Sequence, residues 1–555
     1  TLSRTFFKDR QIIMLNSYNF RNIIPMKNTM PVPIIDLFAG PGGLGEGFSR
    51  VGWEERNPFY RICLSIEKEP SAHRTLKLRS FFRQFPYGEA PEEYYEYLRE
   101  GRPPEELYHL PQFSAQAEAA EKEAWCATLR NDEEFNAELD RKIETALQGE
   151  SDWVLIGGPP CQAYSVVGRA RNRGVKNYVA EDDSRHFLYQ EYLRIISRHR
   201  PAVFVMENVK GILSSEVKGD RIFERIESDL KNPSGKSGCS YRLFSLVKSP
   251  EIFDEDGAPV FRKQDFIIEA ERYGIPQTRH RVILLGIRED LARGLLPSVL
   301  IEKEQIAAYR VLGLPRLRSC ISRGKYDKHD WLKAVRSFPI HKLRDEICRL
   351  ADREVLDALW IALRDLSLPH EDSGGEFVSK PPRSVPDENL SRWYVDRRLP
   401  GVFNHSARSH MVTDLYRYLY ASCFAKIKFR SPRMHEFPEM LKPDHKNRDS
   451  GIFNDRFRVQ LSGVPACTIT SHISKDGHYY IHPDPRQCRS LTVREAARLQ
   501  TFPDNYFFCG NRTEQYIQVG NAVPPLLAYG IAEVVRDILE MRAWQILSLP
   551  KSEVA

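Results

Sequence analysis

A cysteine on a predicted loop is the strongest candidate for chemistry in this sequence. Cys161 follows Gly157-Gly158-Pro159-Pro160, which ends the apolar run Trp153-Val154-Leu155-Ile156. A short apolar run is typical of a buried parallel strand, so Cys161 is predicted at the carboxyl end of a strand, where open α/β sheets bind ligands. A thiolate there can act as a nucleophile, because an exposed loop lets its surroundings lower the thiol pKa from about 8.5. The alternative for a single cysteine is a small buried hydrophobic residue.

A carboxylate and two arginines are predicted to accompany the cysteine. The apolar run at 202–206 predicts another buried strand, which brings Glu207 to the same edge of the sheet. A carboxyl group at that position can protonate or hold a ring nitrogen. Arg279 and Arg281 precede the predicted strand 282–286 and lie on one face of an extended segment, where they can hold a phosphate or a base oxygen. Two ordinary surface charges are the alternative.

A glycine-rich turn predicts a cofactor site. The predicted strand 32–38 runs into Gly40-Pro41-Gly42-Gly43-Leu44-Gly45, and a strand, a glycine turn and a helix in this order cradle a nucleotide-like cofactor. On the turn alone, NAD fits as well as any other cofactor. Glu67 ends the predicted strand 61–66, where a carboxylate can accept hydrogen bonds from ribose hydroxyls. An ordinary solvated strand end is an equal alternative.

Length and composition set the frame for these residues. The 555 residues predict two or more domains, and 41% hydrophobic with 28% charged residues suits a soluble protein. The net charge of +6 permits a polyanionic partner. Ten cysteines without a Cys-x-x-Cys pair indicate neither zinc nor a disulfide framework, and favour reduced thiols inside a cell. No run approaches the ~18 apolar residues of a membrane span.

The chain divides into regions of different character. Residues 1–30 are basic and irregular and are interpreted as a tail, and 31–287 as an α/β domain with a helical insert at about 75–150. From 288 to 490 the strand–helix alternation is lost and basic residues mix with aromatic ones, which indicates a separate recognition domain of mostly β or irregular structure. Residues 491–545 form a last segment, in which Thr492 and Glu495 predict a capping box.

Two details of the recognition region lead to further expectations. Asp476-Gly477 lies between extended flanks and predicts a β-hairpin. His472, His478 and His482 are close in sequence, but no cysteine or carboxylate pattern supports a metal site, so none is predicted.

Taken together, these stretches resemble the DNA (cytosine-5) methyltransferases. Six blocks stand in the order of that family and extend from about residue 32 to 540. They are Asp36 to Phe48, Gly157 to Gln162, Glu207 to Val209, Gln277 to Arg281, Arg494, and Gly520 to Pro525. The resemblance implies a Rossmann-like catalytic domain with a smaller target-recognition domain, and a final segment that returns to the catalytic domain.

The resemblance implies S-adenosylmethionine at the glycine turn, and no metal. Phe38 would lie against the adenine and Glu67 would hold the ribose. The family usually has an aromatic residue after that carboxylate, whereas this chain has Lys68. The aspartate that meets the adenine amino group is not placed: it is Asp152, just before the predicted strand, or it lies within the insert. The residues implied to bind the cofactor are Phe38, Gly40, Gly42, Gly43, Leu44, Glu67, Pro159, Asn521 and Val523.

The resemblance also implies a mechanism. The thiolate of Cys161 attacks C6 of cytosine, Glu207 engages N3 and the exocyclic amine, and Arg281 with Arg279 positions the base and the sulfur. C5 becomes nucleophilic and accepts the methyl group, and loss of its proton expels the thiolate. The base must leave the stack to be attacked from its face, so base flipping is implied.

Double-stranded DNA is the implied substrate. The long basic loop after Cys161 is expected to close over the phosphate backbone, and the recognition domain to read bases in the major groove. The candidate DNA-contacting residues are Ser165, Arg169, Arg171, Arg173, Thr468 and Thr470.

The architecture resembles a prokaryotic restriction–modification enzyme. By this analogy we expect a cytoplasmic, nucleoid-associated monomer, with a cognate endonuclease in the same system. An RNA cytosine methyltransferase is the nearest alternative, but a recognition region of about 200 residues favours duplex DNA. An inert DNA-binding protein of the same fold is another alternative, and the presence of Cys161 and Glu207 argues against it.

Overall fold

The computed structural model describes residues 30–160, 185–217, 220–235, 238–324, 326–380, 385, 387–444 and 454–548. The strands are β1 Val32–Leu37, β2 Tyr60–Glu67, β3 Ala124–Cys126, β4 Val154–Gly157, β5 Val203–Val209, β6 Glu216–Val217, β7 Asp220–Arg221, β8 Tyr241–Phe244, β9 Ile252–Phe253, β10 Pro259–Val260, β11 Ile267–Glu269, β12 Gln277–Thr278, β13 His280–Arg288, β14 Cys320–Ile321, β15 Gly374–Val378, β16 Val402–Ser406, β17 Ser409–His410 and β18 Ala466–Cys467.

The α-helices divide into three groups along the chain. Those of the amino-terminal part are α1 Gly43–Ser49, α2 Pro70–Arg83, α3 Glu92–Arg99, α4 Pro104–Tyr108, α5 Ser114–Glu123, α6 Glu133–Leu147, α7 Arg185–His199, α8 Ile222–Lys231 and α9 Glu289–Ala292. Those of the recognition region are α10 Lys328–Arg336, α11 Ile340–Ala351, α12 Arg353–Arg364, α13 Glu388–Tyr394 and α14 Val412–Lys428. The last three are α15 Val493–Leu499, α16 Arg512–Asn521 and α17 Pro525–Ser548.

A mixed sheet forms the centre of the catalytic part. Its strand order is β11-β13-β5-β4-β1-β2-β3, and β8 also pairs with β13. The strands β5, β4, β1, β2 and β3 are parallel to one another, while β13 is antiparallel to β5. The predicted α/β fold and its five strands are therefore confirmed.

Both faces of this sheet are covered by helices. Alternate residues of each strand enter opposite cores: Ile34 and Ile156 pack with α1 and α17, whereas Ile35 and Leu155 pack with α6 and α7. A strand buried on both faces must be apolar at successive positions, which is why the parallel strands are continuous hydrophobic runs in the sequence. The result is a three-layer sandwich.

The segment predicted as a helical insert has two roles. Helices α2–α5 pack mainly on one another and on the recognition residues Leu399 and Phe403. However, β3 extends the central sheet and α6 covers one of its faces. A three-residue strand between two helical segments leaves almost no periodic signal, so β3 was not predicted.

The recognition region contains more helix than its composition indicates. Helices α10, α11, α12 and α14 share one core, which includes Trp331, Ile347, Leu359 and Leu415. The strands of the region form pairs such as β15 with β16 and β14 with β17. Apolar residues three and four apart between 331 and 362 carry a helical pattern that the frequent prolines and basic residues obscured.

The hairpin predicted around Gly477 is wrong. Gly477 has a positive φ of +76°, but 3₁₀ turns lie on both sides of it, at Ser471–Ser474 and His478–Tyr480. By contrast, the capping box is confirmed, because Thr492 Oγ1 accepts a hydrogen bond from the Glu495 amide and the Glu495 carboxylate accepts one from the Thr492 amide. Among the helices described, none has the length and apolar character required to cross a membrane.

Candidate active site

The carboxyl ends of the central strands gather the candidate residues at one edge. Leu37 of β1, Gly157 of β4 and Met206 of β5 lie level with one another in the sheet register. Glu207 is the next residue after Met206, and β13 begins at this same edge because it runs antiparallel to β5. The topology therefore brings the glycine turn, Glu207 and the arginines of the Gln277–Arg281 block to one side of the sheet.

Glu207 lies against the glycines that precede Cys161. A Cβ atom at Gly158 would lie 3.0 Å from Glu207 Oε2, and one at Gly157 would lie 2.5 Å from the Leu37 carbonyl oxygen. A side chain at Gly157 would therefore collide with backbone, whereas one at Gly158 would force the Glu207 carboxylate to shift by a few tenths of an ångström. This contact explains why two glycines stand in front of the proline pair.

Arg281 forms an ion pair with Glu207. The distance from Arg281 Nε to Glu207 Oε1 is 2.9 Å, although the N–H is not aligned for a hydrogen bond. The guanidinium is fixed by a hydrogen bond of 2.8 Å from Nη1 to the His280 carbonyl oxygen. Both side chains are about one-sixth exposed, so the pair is open to the edge of the sheet.

Asn208 connects Glu207's strand to the loop that leads to Cys161. Its Nδ2 donates a hydrogen bond of 3.3 Å to the Pro159 carbonyl oxygen. The sequence predicts no role for this side chain, although it belongs to the block from Glu207 to Val209. Cys161 itself lies outside the described residues, as do Ser165, Arg169, Arg171 and Arg173.

Arg279 joins three parts of the chain. Its Nη1 donates hydrogen bonds to the carbonyl oxygens of Ile469, at 2.7 Å, and Gly520, at 3.3 Å. The residue is 2% exposed, and burial together with the nearby Arg281 guanidinium lowers the pKa of Arg279 well below its usual value. Arg279 therefore connects β13 to the recognition region and to the end of α16.

Gln277 makes a second connection beside Arg279. Its side-chain oxygen accepts a hydrogen bond from the Ile469 amide, and its Nε2 donates to the Leu499 carbonyl oxygen and to Gln500 Oε1. The strand β12, which contains Gln277, also pairs with β18 of the recognition region. A buried amide has both donors and acceptors to satisfy, and here its partners lie some 190 to 220 residues away in the sequence.

Thr468 and Thr470 lie directly after β18. Thr468 Oγ1 donates a hydrogen bond to the Thr278 carbonyl oxygen, and Thr470 Oγ1 lies 2.8 Å from the Tyr480 hydroxyl. Both threonines are therefore next to the Gln277–Arg281 block, and both hydroxyls have protein partners.

The glycine turn has the backbone geometry of a ligand cradle. Gly40 and Gly42 have positive φ angles of +56° and +94°, and no atom lies within 4 Å of a Cβ placed on Gly40. The turn ends at the N-terminus of α1, and the first amides of a helix are available to bind an anionic or polar group. Phe38, a non-glycine residue with φ of +58°, stands at the start of the turn and is half-buried.

Glu67 is oriented by the turn itself. Its Oε2 accepts a hydrogen bond from the Gly40 amide and its Oε1 accepts one from the Glu69 amide, both at 2.8 Å. Each carboxylate oxygen retains a lone pair for a further donor, such as a ribose hydroxyl. Lys68, at the position where the resemblance implies an aromatic residue, is exposed and pairs with Glu69 at 3.5 Å.

The carboxyl-terminal segment packs against the turn. A Cβ at Gly43 would lie 2.3 Å from the Val523 carbonyl oxygen, so Val523 contacts the start of α1 closely. Asn521 is exposed at the end of α16, whereas the Leu44 side chain is buried in the core beneath the sheet. Leu44 can therefore meet a ligand through its backbone and not through its side chain.

Asp152 does not belong to this site. It precedes β4, at the opposite edge of the sheet from the glycine turn, and it lies 3.4 Å from the Arg288 guanidinium. The guess that Asp152 meets an adenine amino group is wrong, because a residue before a parallel strand cannot reach the carboxyl edge.

The carboxylate of the site, Glu207, is paired with an arginine. The three histidines of the recognition region have other surroundings: His478 Nδ1 lies 2.7 Å from the Tyr418 hydroxyl, His482 is buried near Glu495, and His472 is exposed. In the described ranges, no group of three or more potential metal ligands is present.

Fold and site together define a class: a Rossmann-like α/β protein with a nucleotide-type turn beside a carboxylate–arginine pair. The family model of the C-5 cytosine-specific DNA methylases matches residues 118–244 and 404–537. The type II methyltransferase M.Bpa9945I of Bacillus paralicheniformis is 34% identical over 525 residues, which cover 91% of this chain and 99% of that protein.

Two further relatives agree. The type II methyltransferase M.AgeI of Thalassovita gelatinovora is 25% identical and covers 90% of this chain and 98% of its own. The DNA (cytosine-5-)-methyltransferase M.ApeKI of Aeropyrum pernix is 26% identical, and the match covers 71% of this chain and 83% of that protein. The chain therefore belongs to the C-5 cytosine-specific DNA methylase family, and it is a DNA (cytosine-5-)-methyltransferase of the type II restriction–modification kind.

Proposed function

We propose that this enzyme transfers a methyl group from S-adenosylmethionine to C5 of cytosine within a specific double-stranded DNA sequence. The observation that carries the proposal is the meeting of two features at one sheet edge. The Glu207–Arg281 pair lies beside the loop that leads to Cys161, and the glycine turn with Glu67 ends the neighbouring strands.

The described residues fit the proposed cofactor. Gly40 offers open space and Glu67 offers an oriented carboxylate, as an adenosyl group with two ribose hydroxyls requires. Bound there, S-adenosylmethionine would supply the methyl group. The residues proposed to hold it are Phe38, Gly40, Gly42, Gly43, the Leu44 backbone, Glu67, Pro159, Asn521 and Val523.

The chain's own residues account for activation of the base. The Cys161 thiolate adds to C6, and the negative charge that then develops on the ring is neutralised by a proton that the Glu207 carboxyl group gives to N3, while the carboxylate so formed accepts a hydrogen bond from the exocyclic amine. Arg281 orients Glu207 through their ion pair. The reaction is complete when C5 has lost its proton and the thiolate has left. Arg279, which contacts carbonyl oxygens and is buried, would position the block and not touch the base.

Access to a face of the ring requires that the cytosine leave the helix, at a cost of a few kcal/mol. We propose that Ser165, Arg169, Arg171 and Arg173 contact the DNA around the flipped base, with Thr468 and Thr470 nearby. The type II names of the relatives support a role in protecting DNA from a cognate endonuclease.

Methyl incorporation tests the proposal directly. The purified enzyme is incubated with labelled S-adenosylmethionine and either plasmid DNA or tRNA, and the DNA is then sequenced after bisulfite treatment. Methylcytosine at one short recurring DNA site is the expected result. Label in tRNA alone would overturn the substrate, and label in neither would overturn the proposed reaction.

Two variants connect the activity to the site. Cys161→Ser is expected to abolish transfer while leaving cofactor binding largely intact. Glu207→Gln is expected to slow single-turnover transfer by about 10²-fold or more, as for the loss of a general acid or base. Glu216→Gln, at an exposed glutamate in β6, is the matched control and should retain full activity. Normal turnover by either active-site variant would remove that residue from the mechanism.

A further inference from the structure

A chain of buried polar contacts extends from the glycine-turn helix to the recognition region. Arg79 of α2 donates to Glu46 of α1 through Nε, at 2.8 Å, and through Nη2, at 2.6 Å. Its Nη1 donates to Asn505 Oδ1 at 3.1 Å. Asn505 Nδ2 in turn donates to Asp396 Oδ2 of the recognition region at 2.8 Å. Four side chains thus connect two functional parts of the protein.

Arg50 makes two further contacts, and these close the series of polar contacts into a ring. Arg50 Nε donates to Glu46 Oε1 at 3.1 Å, and Arg50 Nη1 donates to the carbonyl oxygen of Trp393 at 3.0 Å. Trp393 precedes Asp396 by three residues, and its ring lies beneath the Arg50 guanidinium at 4.5 Å. Helix α1 is therefore held to the recognition region from two directions.

Burial makes this ring sensitive to the loss of any member. The side chains of Glu46 and Arg79 are 0% and 2% exposed. Burial alone would raise the pKa of Glu46, but Arg79 and Arg50 lower it to about 2, so the carboxylate stays ionised. Removing one partner of a buried, hydrogen-bonded charge leaves the other without compensation.

This ring of polar contacts also reaches the glycine turn. Arg79 lies over the ring of Tyr506, 4.8 Å from its centroid, and the Tyr506 hydroxyl donates to the Pro41 carbonyl oxygen within the turn. A Cβ at Gly42 would lie 2.9 Å from that hydroxyl oxygen. Since Glu46 is in the first turn of α1, a shift of Arg79 would displace the turn at both of its ends.

We infer that Asp396 and Asn505 are positioning residues for the cofactor site, so that the recognition region helps to set the affinity for S-adenosylmethionine. The inference rests on the proposed function, which places that cofactor at the glycine turn and DNA on the recognition region. It assigns a role to residues far from the turn in sequence, and it explains why helix α2 packs against both parts.

An exchange of the amide and the carboxylate tests the inference. Asn505→Asp keeps an acceptor for Arg79 but places a second carboxylate 2.8 Å from Asp396. Combined with Asp396→Asn, the exchange restores a donor–acceptor pair. In the wild type the Tyr95 hydroxyl donates to Asp396 Oδ2 at 2.6 Å. In the double variant the new amide at position 396 can donate its second N–H to that hydroxyl.

The affinity for S-adenosylhomocysteine, measured by calorimetry without DNA, is the main readout. Asn505→Asp is expected to weaken it about tenfold, within the usual range for coupled sites. Asp396→Asn alone should weaken it less, and the double variant should return to within about twofold of the wild type. In steady-state assays the KM for the cofactor should rise while kcat stays within about twofold.

Stability measurements separate positioning from simple support of the fold. If Asn505→Asp melts at a lower temperature but binds S-adenosylhomocysteine as tightly as the wild type, the inference is overturned. If that variant does not fold, Asp396→Asn decides the matter by the same comparison. Glu388→Gln, in an exposed ion pair on α13, is the matched control and should change neither quantity. Failure of the wild type to bind would instead overturn the proposed cofactor.

Discussion

At the scale of single residues, the site depends on the absence of a side chain at a glycine as well as on the side chains that are present. Gly158 has no side chain, and this absence lets the Glu207 carboxylate lie at the strand end where it meets Arg281. Asp36 shows the opposite situation, because a carboxyl group is present where burial disfavours its charged form. Burial raises the pKa of Asp36 to about 8, against the opposing attraction of Arg83.

Gly158→Ala should slow the enzyme without unfolding it. The added Cβ would lie 3.0 Å from Glu207 Oε2, so the carboxylate must shift by a few tenths of an ångström. Since a displacement of about 1 Å in a reacting group can cost about 10²-fold in rate, we expect a smaller loss, about tenfold or less, in single-turnover methyl transfer. Gly375→Ala, where the Cβ meets only ordinary contacts, is the control. A fully active Gly158→Ala enzyme would contradict the importance of this contact.

Asp36→Asn should change how stability depends on pH. Because the pKa rises from 3.8 in the unfolded chain to about 8 in the fold, the wild type loses stability as pH rises between these values. The amide cannot ionise. Between pH 4 and pH 8 the free energy of unfolding of the variant should therefore rise, relative to that of the wild type, on the order of a few kcal/mol. Urea unfolding at pH 5 and pH 8.5 measures the difference.

The comparison must be made against an exposed aspartate. Asp345→Asn, on the surface of α11, should follow the wild type at both pH values. An equal response of Asp36→Asn and the wild type to pH would show that Asp36 is ionised in the fold.

At the scale of elements, the close approach of α1 and α17 completes the catalytic part. Gly47 lies at the crossing, where a Cβ would come within 2.5 Å of the Ala528 side chain, the Pro525 carbonyl oxygen and the Tyr529 amide. Backbone atoms cannot move aside as a flexible side chain can. The glycines of α1 therefore serve two purposes: some shape the turn, and Gly47 allows the last helix to dock.

Gly47→Ala should destabilise the protein by overpacking. We expect a loss of about 1–3 kcal/mol in the free energy of unfolding, measured by urea denaturation. Gly463→Ala, where a Cβ meets no atom within 4 Å, should leave it unchanged. Equal stability of the two variants would mean that α17 docks less closely than the contacts indicate.

The sequence was most informative where an element is continuous and local. The strands at 32–38, 153–156 and 202–206 are apolar at successive positions, so both their existence and their approximate bounds could be predicted. The three residues of β3 and the helices around Trp331 could not be predicted with the same reasoning, since one is too short for a period and the others lie among prolines.

The candidate site shows the same division. Glu207, Arg281 and Glu67 follow strands or a recognisable block, and sequence position alone brought them to one edge. The partners of Gln277 and Arg279 lie between about 190 and 240 residues away along the chain, and local patterns contain no information on such contacts. Asp152 lies before β4 and therefore at the amino edge of the sheet, away from the glycine turn.

At the scale of the whole molecule, the recognition region and the catalytic part share cores. Ile306 and Val311 pack with Trp393, Ile469 and residues of α15 and α16 in one cluster. Buried titratable groups in this shared structure then affect the stability of the entire protein.

Acid should unfold the protein through its buried histidines. Burial lowers the pKa of His405 and of His482 from 6.5 to about 4, so the folded state binds fewer protons than the unfolded chain between these values. His405 is held as the neutral ring between the Thr492 hydroxyl and the Pro315 carbonyl oxygen. Stability should fall as pH drops from 6.5 to 4, by about 3 kcal/mol for each histidine.

Tryptophan fluorescence between pH 7 and pH 4 provides the measurement, because Trp331 and Trp393 are buried in the affected cores. His405→Gln removes one titrating group and should reduce the dependence of the melting temperature on pH. A melting temperature that stays constant from pH 7 to pH 4.5 would contradict the prediction.

The docking of α17 has a consequence for the order of events during synthesis. Phe48 and Ile62 emerge early from the ribosome, whereas Leu527 and Ile531, which cover them, emerge nearly 500 residues later. At a rate of synthesis of about 5–20 residues per second, that face of the sheet stays uncovered for roughly 25 to 95 seconds. During this interval the nascent chain exposes an apolar surface, and the glycine turn lacks its contact with Val523, so we expect chaperones and translation speed to affect how much enzyme matures.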